Sequence, residues 1–205
     1  MISRRSQCGR RGRRGDAGLR MSAAYLAILA VLLSGFGARD HVKIAGLSLR
    51  QGQRPAVFVT GALVCIATAA FAGWAAAYIA PVMAPEARLF LSAIALGLAG
   101  AESLIFAPRD KPGEPTHSLG ALAIVLLSHQ LTDAARFLIF GIAVAANAPL
   151  AAGLGGALGG IVLIGWSWAF PQHVIAGRTR TVRRSIGVFL LCLGVYVGLT
   201  AIGKL

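Results

Sequence analysis

From residue 56 to residue 80 the chain carries no charged side chain, and Pro81 and Pro85 end the run. A helix needs about 20 residues to cross the hydrocarbon of a bilayer, and this stretch is long enough. Five further apolar runs occupy residues 23–36, 89–107, 119–146, 150–170 and 186–202. Of 205 residues, 57 % are apolar and only 13 % charged, against roughly 25 % charged in a soluble domain. Too little polar surface remains to cover a water-exposed globule, and no room is left for a large soluble domain. The sequence predicts an all-α integral membrane protein of six transmembrane helices. Its 26 glycines suit helices that approach closely in lipid.

Two runs are interrupted, and they correspond. Arg39, Asp40, His41 and Lys43 follow the first run, and weaker apolar character then continues to Leu49. His129, Gln130, Asp133 and Arg136 interrupt the fourth. Placing Phe36 on Leu131 brings Gly46 onto Gly141, Pro55 onto Pro149 and Gly61 onto Gly155, with one residue of slippage before the proline. Each half reads as a polar-interrupted helix, a proline-marked loop, a glycine-rich helix and a third helix. Three is odd, so the second half enters from the opposite side, and the halves are inverted copies. Such repeats, with interrupted helices at matching positions, point to a transporter site near the midplane. The expected organisation is a tail over 1–20, a first three-helix repeat over 21–108, a central cytoplasmic loop over 109–117 and a second repeat over 118–205.

The net charge of +13 suggests nucleic acid at first sight, but its distribution argues against that partner. Seven arginines lie in the first 20 residues, and most other cations sit between apolar runs, where they set membrane orientation. Arg39, Lys43, Arg50 and Arg54 follow run one; Arg109 and Lys111 lie in the central loop; Arg178, Arg180, Arg183 and Arg184 follow run five. The even loops carry only Arg88. The odd loops are therefore expected in the cytoplasm and both termini outside. The arginine-rich segment conflicts with that orientation. It lacks apolar periodicity and reads as disordered or not native, with Met21 as the start of the membrane protein. An arginine-rich tail on an anionic lipid surface is the rival reading. Cys65 and Cys192 lie inside apolar runs as small packing groups, and no cysteine spacing suggests a metal site or a disulfide framework.

Ionisable groups inside a membrane are expensive, and each is a candidate for function. Asp133 lies between apolar stretches, with Gln130 one turn before it and His129 and Arg136 close to the same face. Their oxygens suit a hard divalent cation, and Asp133 is also suited to carry a proton. The competing structural reading is an Asp133–Arg136 ion pair that only holds helices together. Glu102, near the end of run three, reads as a side chain reaching for the interface. Trp74, Trp166 and Trp168 read as interfacial anchors or packing groups. No nucleophile–base set, phosphate loop or cofactor fingerprint is present, so no enzyme and no bound cofactor are expected.

On these residues the chain resembles the Golgi-type manganese/calcium cation–proton exchangers of the lysine-exporter superfamily, whose bacterial members export manganese. That family carries E-x-G-D-[KR]-[ST] on the first helix of each inverted half. The resemblance covers nearly all of 21–205. In the first half the motif's place is taken by GFGARD: Gly35 stands for the glutamate, Gly37 keeps the glycine, Ala38 replaces the aspartate, Arg39 keeps the basic residue and Asp40 replaces the hydroxyl. In the second half QLTDAA occupies it: Gln130 replaces the glutamate, Thr132 the glycine, and Asp133 is retained. Of the four family acids only Asp133 keeps its place, with Asp40 as a displaced substitute. The resemblance implies a secondary transporter of the bacterial inner membrane that exchanges Mn²⁺ or Ca²⁺ against protons, the two halves rocking around the site. Asp133, Gln130 and Asp40 would supply the cation's ligands. Its partners would be the lipid bilayer, the transported cation and protons, with a homo-oligomer compatible. The missing acids leave open weaker binding, another substrate or a loss of transport. One rival is an exporter of another small solute, with Arg39 and Arg136 reading an anionic group. A second is a non-transporting membrane partner of a complete homologue.

Overall fold

The computed structural model describes residues 3–105, 118–175 and 178–203, so the expected central loop over 109–117 lies outside the described residues. Nine helices account for nearly all of them: α1 (Ser3–Gly35), α2 (Arg39–Gln51), α3 (Pro55–Ile79), α4 (Pro85–Ile105), α5 (Leu119–Leu131), α6 (Ala134–Ala145), α7 (Pro149–Ala169), α8 (Pro171–Ile175) and α9 (Arg178–Ala201). Proline opens α3, α4, α7 and α8. There its fixed φ suits the first turn, and its missing N–H would have been unpaired anyway.

Four segments are each long and apolar enough to cross a membrane: Pro55–Val82, Pro85–Ile105, Pro149–Ala169 and Thr181–Ala201. Two helix pairs also pass together. Arg20–Gly35 and Arg39–Gln51 meet at 65°, and Leu119–Leu131 and Ala134–Ala145 at 52°. The count is therefore four spans, or six with each bent pair as one, as fits an integral membrane protein. Large side chains point outward, as Leu150, Leu154, Leu158 and Val162 do along α7, whereas Ala27, Ala69, Ala76, Ala143 and Ala152 are wholly buried. Small residues inside and bulky ones outside suit lipid as solvent, because backbones then pack closely without losing a hydrophobic gain to water.

Glycine sets the closest approaches. A Cβ on Gly155 of α7 would collide with the Ala24 carbonyl of α1, and one on Gly100 of α4 would lie 2.7 Å from the Gly187 carbonyl of α9. In both cases the obstacle is backbone, which cannot rotate away. Gly155→Ala is therefore expected to push α1 off α7 and destabilise the protein by roughly 1–3 kcal/mol, read as a lower unfolding temperature in detergent. An unchanged temperature would mean that the two helices do not pack this closely.

Helices α3 and α7 run antiparallel and are joined at both ends. At one end Trp168 Nε1 donates to the Arg54 carbonyl at 3.1 Å, Gln53 Nε2 donates to the Ala169 carbonyl at 3.0 Å, and the Phe58 and Trp168 rings lie 5.7 Å apart. At the other, Gly73 lets α3 come to within 3.0 Å of the Pro149 carbonyl, measured from the position of a Cβ. The segments after α2 and after α7 thus share one face of the bundle. On the opposite face Ala80 packs in one cluster with Ala143 and Val144.

The structure differs from the sequence reading in three places. The backbone over the arginine-rich segment is helical from Ser3. Arginine has high helix propensity, and extending a formed helix avoids the nucleation penalty. Arg39 and Lys43 are not loop residues but belong to the first turns of α2. Arg183 is likewise no loop cation: it is 4 % exposed and sits in the apolar part of α9.

Candidate functional site

In each bent pair the chain breaks between two helices. Helices α2 and α5 have 13 residues and α6 has 12, so each half-helix is about 20 Å long at 1.5 Å per residue. At the first break Gly37 takes φ 71°, a conformation that favours glycine, and Ala38 precedes α2 in extended geometry. At the second, Asp133 precedes α6 with φ −79° and ψ 140°. Ala38 and Asp133, which share one column of the motif, thus occupy equivalent places. A glutamate has little room at Gly35, where a Cβ would lie 2.7 Å from Leu163 Cδ1 and 3.5 Å from His41 Nε2.

A buried polar network joins the breaks. Gln130, wholly buried, donates from Nε2 to Asp40 Oδ2 at 3.1 Å, and its Oε1 accepts from Arg136 at 2.6 Å. Arg136 Nε also donates to Thr68 Oγ1 at 2.9 Å, and that hydroxyl's one proton is within reach of the Val64 carbonyl at 2.9 Å and of Gln130 Oε1 at 3.1 Å. Asp40 Oδ1 accepts the His41 backbone N–H at 2.9 Å. Gln130 therefore relays between a carboxylate and a guanidinium. Only this orientation of its amide matches donor to acceptor on both sides. Its oxygen faces a cation-bearing donor and points to no open space. Gly160 makes room for Cys65 of α3 beside this network, since a Cβ there would collide with the Cys65 sulfur.

Beside this network lies a cavity of about 430 Å³, lined on its polar side by Asp40, Glu102, Asp133, His129 and Arg39, and on its apolar side by Leu98, Ile105 and Phe137 among others. Asp40 and Asp133, from the two bent helix pairs, thus reach one space, while Gln130 stands behind it. Asp133 forms no ion pair or side-chain hydrogen bond among the described residues. In particular it does not pair with Arg136, whose guanidinium is turned to Gln130 and Thr68. Lys43 Nζ lies 3.0 Å from Nε2 of His129, a geometry in which the lysine donates and the imidazole accepts.

Glu102 is not an interfacial side chain. Its Oε2 accepts the Ala134 backbone N–H at 2.9 Å, and its Oε1 lies 3.9 Å from Arg183 Nη2. Arg183 in turn donates to the Gly37 carbonyl. Glu102, Arg183 and Thr68 are the site residues that sequence reasoning missed as such. The signal for Glu102 was present, a lone acid in an apolar helix. Arg183 was hidden among neighbouring arginines.

Among the described residues, no three of His, Cys, Asp and Glu stand close enough together to hold a metal ion as a group. Compared with protein-family models, with curated proteins and with solved structures, the chain matches none.

Proposed function

We propose that this chain is a secondary transporter that exchanges a divalent cation of the Mn²⁺/Ca²⁺ class against protons, built as two inverted halves of three spans each. The observation that carries the proposal is the meeting of both helix breaks at one cavity, with carboxylates from α2, from α4 and from the break before α6 in its wall. Broken helices around a polar midplane cavity are the architecture by which transporters expose a site alternately to either side. The repeat has further support in the packing. Helix α3 lies against its counterpart α7, and α4 against its counterpart α9. With the odd loops on the cytoplasmic side, as their cations favour, the protein would sit in a bacterial inner membrane with its site halfway across.

The ligands under this reading are Asp133, Asp40 and Glu102, with Gln130 holding Asp40 in place instead of binding the ion. The carboxylates surround the cavity without converging on one point. A water molecule occupies about 30 Å³ of liquid, so about 430 Å³ accommodates an ion with much of its hydration shell. An ion held through water is bound loosely, which suits cargo that has to leave again. The anionic-solute reading loses one of its two arginines, since Arg136 is buried and engaged by Gln130 and Thr68.

The test is flux through the purified chain in proteoliposomes. A pH gradient is expected to drive Mn²⁺ or Ca²⁺ movement in the opposite direction, and collapsing the gradient with a protonophore is expected to stop it. No flux of either ion above that of empty liposomes would sink the reading and favour a non-transporting partner of a complete homologue.

A further inference from the structure

Arg183 is 4 % exposed and lies in the apolar part of α9, where a guanidinium without a counter-charge is expensive. It donates to the Gly37 carbonyl at the first break, and its Nη2 lies 3.9 Å from Glu102 Oε1. Its Nε–H is buried and meets no acceptor. Among the described residues Glu102 is therefore the one acid within ion-pair distance of Arg183. Glu102 also accepts the Ala134 N–H at the second break, so a single ion pair joins the backbones of the two breaks. Glycines at 100 and 187 let α4 and α9 approach closely enough for the pair to form. Glu102 stands in the cavity wall, and Arg183 lies outside it. Anything cationic that enters the cavity thus meets the carboxylate that Arg183 depends on.

We propose that Arg183 is a tethered cation that competes with a divalent ion for Glu102. The inference rests on the transporter reading for the class of ion that enters the cavity. A carboxylate that neutralises a divalent ion has little charge left for a guanidinium, and the two cations repel each other. Each therefore weakens the other's hold on Glu102 by the same factor. A monovalent ion brings half the charge to that contest, so the pair favours divalent cargo. Once Glu102 is taken, Arg183 keeps only the Gly37 carbonyl as a partner. Occupancy of the cavity is then felt at the glycine on which the first bent pair turns.

The test is Mn²⁺ binding to the full chain in detergent, read from the loss of the free-ion signal in electron paramagnetic resonance. Arg183→Gln removes the competitor and is expected to tighten binding about fivefold, the worth of a partly exposed ion pair. Arg183→Lys keeps a charge beside Glu102 and is expected to bind as the parent does. In a Glu102→Gln background the contested carboxylate is gone, and adding Arg183→Gln is expected to change affinity by less than about twofold. Unchanged or weaker binding in Arg183→Gln overturns the proposal. So does equal tightening with and without Glu102, which would make Arg183 a distant charge and no competitor. Where Glu102→Gln fails to accumulate because Arg183 is left without a counter-charge, the contrast between Arg183→Gln and Arg183→Lys carries the test, and equal affinities in those two overturn the proposal. No Mn²⁺ binding by the parent or any variant also overturns it. The expected pattern in a protein without ion flux supports the competition and refutes the transport reading. Flux in proteoliposomes with affinities indifferent to position 183 does the reverse.

Discussion

Replacing Arg136 with methionine is expected to destabilise the protein by about 3–5 kcal/mol, the usual loss when one partner of a buried charged arrangement is removed. Arg136 is 7 % exposed and serves both Gln130 Oε1 and Thr68 Oγ1. Without it, the Gln130 oxygen loses its charged donor, and Asp40 keeps a buried negative charge with no cation linked to it through the amide. Neutralising both ends, as Arg136→Met/Asp40→Asn, is expected to recover most of the loss, because no buried charge is then stranded. Thermal unfolding in detergent measures both variants. A single variant as stable as the parent, or a double variant no better than the single, would show that the relay through Gln130 does not hold the two helix breaks together.

Asp133→Asn is expected to abolish ion flux while changing stability by less than about 0.5 kcal/mol. Asparagine is as good a residue as aspartate just before a helix, so the start of α6 stays as it is. No ion pair is broken, since Arg136 is directed elsewhere. Only the charge facing the cavity disappears. Flux assays and unfolding on the same preparation decide the matter. A stable variant that still exchanges cations for protons removes Asp133 from the mechanism. An unstable one shows that the carboxylate has a structural partner after all.

The spans were legible because lipid demands long apolar runs and because proline marks where helices open. Both breaks were visible as polar interruptions, the first helped by Gly37. The wiring between them was not visible. Gln130, Asp133 and Arg136 look like neighbours on one helical face only if the helix continues. It stops at Leu131 and restarts at Ala134, so the spacing rule for helix faces does not apply across Asp133. Arg136 turns to Thr68, 68 positions away, and Gln130 to Asp40, 90 positions away. Such pairings depend on which helices pack together, and hydropathy does not encode that. Glu102 misled for a related reason: an acid near the end of an apolar run reads as reaching for water, while its actual partner is a backbone N–H exposed by a break in another helix.

The fastening of α3 to α7 has a mechanical meaning. A bar pinned at both ends cannot swing about either one. The Trp168 and Gln53 bonds at one end and the Gly73–Pro149 crossing at the other make these two helices a single beam. Rocking one half against the other would shear that beam along its length. In a transporter built this way, access has to change through the elements attached to the beam, by opening and closing the 65° and 52° bends. The joints would then be Gly37 and Asp133, and the load they carry would be the cavity between them.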